Sequence, residues 1–157
     1  LQQYSGHSLH KQAERGLGRA LVQKEIAGAS PAWQRGLEQL QALISRHRNE
    51  TDFTEMHPIV HRFAEEISLG AARTAELTRD ASLLTVSEDA QVVLERYADP
   101  AAAPTAAISR IKEARVAAVI AISKQKIFDD GMAAVDAALT AKQPMVALSE
   151  REKLVRA

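Results

Sequence analysis

Ile108-Ser-Arg110-Ile111-Lys-Glu-Ala-Arg115-Val-Ala-Ala118-Val119-Ile-Ala-Ile122 is the stretch that decides the fold. At about 100° per residue, Ile108, Ile111, Ala118, Val119 and Ile122 fall within one arc of about 100°, while Arg110, Glu113 and Lys124 lie on the opposite side. That period belongs to an amphipathic helix. No strand alternation of useful length occurs anywhere in the chain, and no internal repeat appears. The spacing predicts a long helix from Thr105 through Phe128, reaching about Leu139 if it passes Asp129-Asp130-Gly131. Its apolar run, Val116 to Ile122, is far short of the roughly 20 residues that span a bilayer.

The same period recurs upstream. A first helix is expected from Gln2 to Ile26, leaving through Ala27-Gly28-Ala29, with Ser30-Pro31 as cap and first position of a second helix that runs to His47. The second helix carries Trp33, Leu37, Leu40, Leu43 and Ile44 at helical spacing, and the short link makes the pair an antiparallel hairpin. Pro58 is tolerated only in a first turn, so a third helix is expected to start between Glu55 and His57 and to end between Thr78 and Ala81. Its stripe is Ile59, Phe63, Ile67 and Ala71. Ser87 is expected to cap a shorter segment through Tyr97, so residues 55–97 read either as one bent helix or as two. Asp99-Pro100 to Pro104 breaks the pattern, Gln143-Pro144 interrupts it again, and Ser149 is expected to cap a short tail. The expectation is an all-α fold, an antiparallel bundle of about four long amphipathic helices with short extra helical segments.

Composition narrows the function. At 157 residues and 17.1 kDa the chain fits a single domain over 1–157 with a real core. Lys+Arg and Asp+Glu number 20 each, so no global field exists to hold nucleic acid, and an anion must be caught by local charge. Apolar residues make up 46% and aromatics only 4%, which predicts an aliphatic core. The absence of Cys removes disulfides, thiolate nucleophiles and zinc-thiolate sites. The chain begins at Leu1 rather than Met, which suggests a trimmed piece of a larger signalling protein.

One residue violates the deciding pattern. Arg115 falls inside the aliphatic arc of the last long helix, and an unpaired guanidinium buried there costs several kcal/mol. Either it pairs with an acid of the third helix such as Glu65 or Glu66, or it snorkels out from the bundle end, or it receives an anion. In the first helix the main apolar stripe is Leu9, Ala13, Leu17, Ala20 and Leu21. Tyr4, Arg15, Arg19, Val22 and Ile26 share a second, mixed arc. Gly16 and Gly18 each cost about 0.5–1 kcal/mol in a helix interior, which points to close packing or close ligand approach beside Arg15. Two guanidiniums on facing helices would suit a small planar oxyanion, because each fork donates in-plane hydrogen bonds.

Gln12-Ala-Glu-Arg-Gly16 on an early helix and Ile111-Lys-Glu-Ala-Arg115 on a later one resemble the bacterial nitrate- and nitrite-sensing helical domain. That domain occurs in transcription antiterminators and in the sensor regions of chemoreceptors, kinases and cyclases. The resemblance implies that arginines of an early and a late helix clamp the anion and that binding alters helix packing to control an output domain or partner protein. By position these are Arg15 and Arg115, with Arg19 and Gly16 alongside. After Lys-Glu-Ala the family places a Gly and a further Glu-Arg, whereas here Arg115 follows at once and Val116-Ala-Ala comes next. A soluble regulator of this kind would be cytoplasmic, and a receptor ectodomain periplasmic and dimeric.

A rival site lies in the third helix. His57 and His61 at i,i+4 with Glu65 on the same face would offer a metal two imidazoles and a carboxylate, whereas the plainer reading is a polar helix edge with solvated histidines. His7 and His10, at i,i+3, carry the same two readings. A bundle that only binds other proteins is the third reading. No nucleophile elbow, phosphate loop or dinucleotide fingerprint is present. Binding without turnover is therefore expected, with no catalytic residues and no cofactor.

Overall fold

The computed structural model describes the backbone of residues 2–97 and 99–156, and the side chains of residues 8–97, 99 and 101–156. Six α-helices follow one another: α1 Gln2–Ile26, α2 Trp33–His47, α3 His57–Thr78, α4 Ser82–Arg96, α5 Pro104–Thr140 and α6 Pro144–Arg156. Two short 3-10 turns, Phe53–Met56 and Pro100–Ala102, precede α3 and α5. Among the described residues there is no strand, and no helix is long and apolar enough to cross a membrane. The chain is all-α.

The core forms where α2, α3, α4 and the first part of α5 meet, with the end of α1 closing one side. Leu37, Leu40, Phe63, Ile67, Leu94 and Ile111 are fully buried. Burying each such side chain contributes about 1.5–3 kcal/mol, so this aliphatic centre and not helix propensity fixes the helices in place. As expected, Phe63, Ile67 and Ala71 face inward, while Ile59 is half-buried at the edge of the cluster.

Several expected boundaries shift for identifiable reasons. Ser30-Pro31 does not open α2. Gly28 takes a left-handed turn with φ 102°, Ala32 donates its N–H to the Glu25 carbonyl at 2.8 Å, and the helix begins at Trp33. Residues 57–96 form two helices, separated where Arg79 adopts φ 62° and ends α3. Ser87 caps nothing: Asp80 accepts from the N–H and hydroxyl of Ser82 at 2.9 and 2.7 Å, so α4 starts five residues earlier. Ser87 is instead fully buried, its carbonyl accepting the Ser68 hydroxyl at 2.6 Å. Likewise Ser149 lies inside α6, which opens at Pro144.

The largest correction concerns α1. Leu9 and Leu17 are 66% and 58% exposed, and Ala13, Ala20 and Leu21 are exposed with them. The mixed arc is the one that packs. Val22 and Ile26 are buried and Gly18 lies against α2, where a Cβ would stand 2.5 Å from Leu43 Cδ1. A bare backbone lets the helices approach on that side, and the Leu side has no neighbour to pack on, because α1 meets chiefly α2.

Beyond the bundle, α5 continues without a break through Asp129-Asp130-Gly131 for a total of 37 residues. α6 folds back against it after a turn in which Lys142 has φ 56°. Gly131 is where the Leu154 side chain seats.

Candidate functional site

The mixed arc of α1 brings Lys11 and Arg15 against the link between α2 and α3. Arg15 is the one formally charged side chain among the buried residues described, 7% exposed. Its Nη2 donates to Glu50 Oε2 at 2.5 Å and to Asp52 Oδ1 at 2.6 Å. Lys11 Nζ lies 3.0 Å from Asp52 Oδ1 and 3.4 Å from Glu50 Oε2. His47, at the end of α2 and 1% exposed, faces Glu50 Oε1 at 2.9 Å through Nδ1. Facing a carboxylate, Nδ1 carries the proton and donates.

These contacts fix the charge states. Lys11, followed by Arg15, holds the Asp52 carboxyl at about 2, well below its ordinary value. Burial pushes Glu50 upward, but the hydrogen bonds from His47, Arg15 and Lys11 outweigh it and leave its pKa lowered. Desolvation opposes the Arg15 charge, and the same two acids more than restore it. Lys11, Arg15, Glu50 and Asp52 are therefore ionised throughout the neutral and mildly acidic range.

Two donors or acceptors in this cluster are left over. Arg15 Nε and His47 Nε2 are buried with no hydrogen-bond partner among the described residues. A buried polar atom left unpaired costs about 1–3 kcal/mol, so an unsatisfied guanidinium Nε is a place where an acceptor gains more than usual. Arg15 also lines a polar cleft of about 390 Å³, together with Ser8, Lys11, Gln12, Gly16, Arg19 and Asp52 among others. Gly16 has no atom within 4 Å of where a Cβ would stand, so it borders open cleft and is not a packing contact.

Arg115 is not brought to this site. It is half-buried on α5 and turns to α4, where Nη2 donates to Gln91 Oε1 at 2.6 Å and Nη1 lies 3.5 Å from Glu88. The expected acid partners on the third helix are not used, since Arg110 takes Glu65 at 2.6 Å. Around Arg115 lies a separate, largely apolar groove lined by Leu84, Glu88, Lys112, Val116, Val119 and Ile120. The two arginines share no hydrogen-bond partner, and their cavities share no lining residue. Helical spacing marked Arg115 as an anomaly and set Arg15 on a mixed arc, but carried no information on which helices are neighbours.

The histidines of α3 are half-buried and buried, and among the described residues they are not gathered for a metal. His61 is buried, and its Nδ1 accepts the Asp99 backbone N–H at 3.1 Å, which leaves the proton on Nε2, 3.8 Å from Glu65. His57 packs edge-on against Phe53 and Tyr97 with ring centroids at 5.4 and 5.8 Å. Glu65 is held by Arg110. Among the described residues no three His, Asp or Glu side chains are placed to hold a metal ion. His10 pairs at 3.5 Å with Glu14 on its own helix; Tyr4 and His7 lie outside the described side chains.

Sequence reasoning passed over Glu50 and Asp52 as partners of Arg15, and His47 as a partner of Glu50. The signal present was a Glu-Thr-Asp run directly after the hairpin, close in sequence to the turn that returns the chain toward α1. Compared with family models, with curated proteins and with solved structures, the chain has no significant match.

Proposed function

We propose that this chain is a non-catalytic sensor of a small planar oxyanion, nitrate or nitrite, received by Arg15 with Lys11 and Arg19 beside it. The observation that carries this reading is the buried Arg15 guanidinium, whose Nε has no hydrogen-bond partner among the described residues, in a residue that lines an open polar cleft. A planar oxyanion offers two in-plane acceptors to the Nε and Nη2 edge, a geometry that a spherical chloride does not match. The resemblance of Gln12-Ala-Glu-Arg-Gly16 to the nitrate- and nitrite-sensing domain supports the same ligand. Arg115, in its own groove, is not required for this site.

Signalling in this reading is a change in the packing of α1 against a framework of about four antiparallel helices, passed to an output domain or partner protein. Because α1 rests chiefly on α2, its position is the one a ligand at Arg15 shifts at least cost. A ligand that binds one packing about 100-fold better shifts the balance by roughly 2.7 kcal/mol, enough for a population switch.

Calorimetric titration of the whole chain tests the proposal. Nitrate or nitrite gives saturable binding and chloride does not. Arg15→Lys, which keeps the charge and its ion pairs but removes the fork, weakens binding on the order of 10–100-fold with helix content unchanged. Equal binding by Arg15→Lys, or none by the unaltered chain, rejects it.

A second reading, a protein-interaction bundle without a small ligand, is favoured by the distribution of exposed apolar groups. Eleven of the sixteen exposed large hydrophobic side chains among the described residues lie from Val116 onward, on α5 and α6. Absence of anion binding together with capture of a partner through this hairpin would support it.

A further inference from the structure

Two carboxylates converge on one nitrogen of Arg15. Nη2 carries two hydrogens, and Glu50 Oε2 and Asp52 Oδ1, at 2.5 and 2.6 Å, take one each. The neighbouring Nε–H, buried and unpartnered, belongs to the same edge of the guanidinium plane. A planar oxyanion binding that edge through two oxygens needs both Nε and Nη2. It cannot have Nη2 while both carboxylates stay.

We infer that Glu50 and Asp52 are a tethered carboxylate pair occupying the anion's place on Arg15, and that ligand binding displaces at least the one on the Nε edge and loosens the residue 48–56 link from α1. The inference rests on the anion-sensing reading of the same site. Charge points the same way. Lys11 and Arg15 of α1 pair with Glu50 and Asp52 of the link, and Arg19 and Glu55 line the same cleft, so these side chains supply three cations and three carboxylates, with the His47 imidazole of α2 against Glu50. A further anion entering without displacement would leave the cluster net negative; one replacing the carboxylates on Arg15 restores a paired guanidinium.

The link is internally braced. Glu50 and Asp52 sit two residues apart, and the turn between them is held by Glu50 N–H to the His47 carbonyl at 2.9 Å and Phe53 N–H to the Glu50 carbonyl at 3.2 Å. Glu55 N–H to the Asp52 carbonyl follows at 3.1 Å. Phe53 then plugs into the core against His57 and Tyr97. A shift of the two acids therefore reaches α3 and α4 through Phe53, and a competitor on the same chain lowers apparent affinity by the fraction of time the seat is open.

The test uses the full chain, sodium nitrate as probe and sodium acetate as a carboxylate control, at constant ionic strength. Asp52→Asn and Glu50→Gln/Asp52→Asn are compared with the unaltered chain by calorimetry, and helix content is read by circular dichroism. Nitrate affinity rises about tenfold or more in the double variant and less in the single one, and Arg15→Lys removes the gain. In the unaltered chain, saturating nitrate speeds amide hydrogen exchange at Glu50, Phe53 and Glu55. If the unaltered chain binds nitrate, but the variants bind no tighter and those amides exchange no faster, displacement is overturned and sensing stands. If the unaltered chain binds neither nitrate nor nitrite, the sensing reading fails and this inference with it. Should the double variant lose helix content, Asp52→Asn and the exchange measurement decide.

Discussion

Two glycines two positions apart on α1 have opposite surroundings. Gly18 meets Leu43, and Gly16 meets nothing within 4 Å. Gly18→Val pushes a branched side chain into a buried leucine and is expected to destabilise the chain by about 1–3 kcal/mol. Gly16→Ala, in an open helix interior, is expected to stabilise the ligand-free chain by about 0.5–1 kcal/mol. Urea unfolding of the two variants measures both, and a shared sign would show that the α1–α2 contact is misplaced. Arg15 illustrates what a sequence discloses at this scale. Its Glu-Arg-Gly setting marked it as unusual, yet its partners lie 35 and 37 residues away. Periodicity describes one helix at a time, so ion pairs between a helix and a loop stay invisible to it.

At the scale of the element, the helices themselves were legible wherever apolar spacing and a backbone-restricting residue coincided. α1 carries the bounds its period predicts, and Pro58, Pro104 and Pro144 each sit in a first turn. Capping serines misled, because Ser30, Ser87 and Ser149 have a competent side chain but the chain turns elsewhere. The choice between the two arcs of α1 was likewise open, since which one packs depends on the neighbour and not on the helix. Arg79 marks where α3 ends, with φ 62° and its N–H on the Ala75 carbonyl at 2.9 Å. A β-carbon is unfavourable there, so Arg79→Gly is expected to raise stability by about 0.5–1 kcal/mol, read as a higher thermal midpoint. A lower midpoint would mean that the arginine side chain contributes more than its backbone costs.

Over the whole molecule, burial is uneven. α2, α3 and α4 hold most of the fully buried side chains, whereas the later part of α5 and all of α6 bury only Ala138 and Ala147. Native-state hydrogen exchange should follow that gradient, fastest in residues 123–156 and slowest around Val60 to Ala75. Uniform protection across both regions would contradict it, as would a slow α5–α6 hairpin at high dilution. The all-α class follows from the sequence because one period runs through nearly every segment. The division into a packed bundle and a projecting hairpin does not, because both parts share that period.

The unbroken course of α5 also has a mechanical meaning. At 37 residues it is about 55 Å long, and only its first half is gripped by the bundle. The remainder is a stiff arm with its fulcrum near Ala118. A tilt of about 5° at that fulcrum swings the far end by roughly 3 Å over an arm of about 33 Å, so a displacement too small to repack a core becomes a readable movement at the tip.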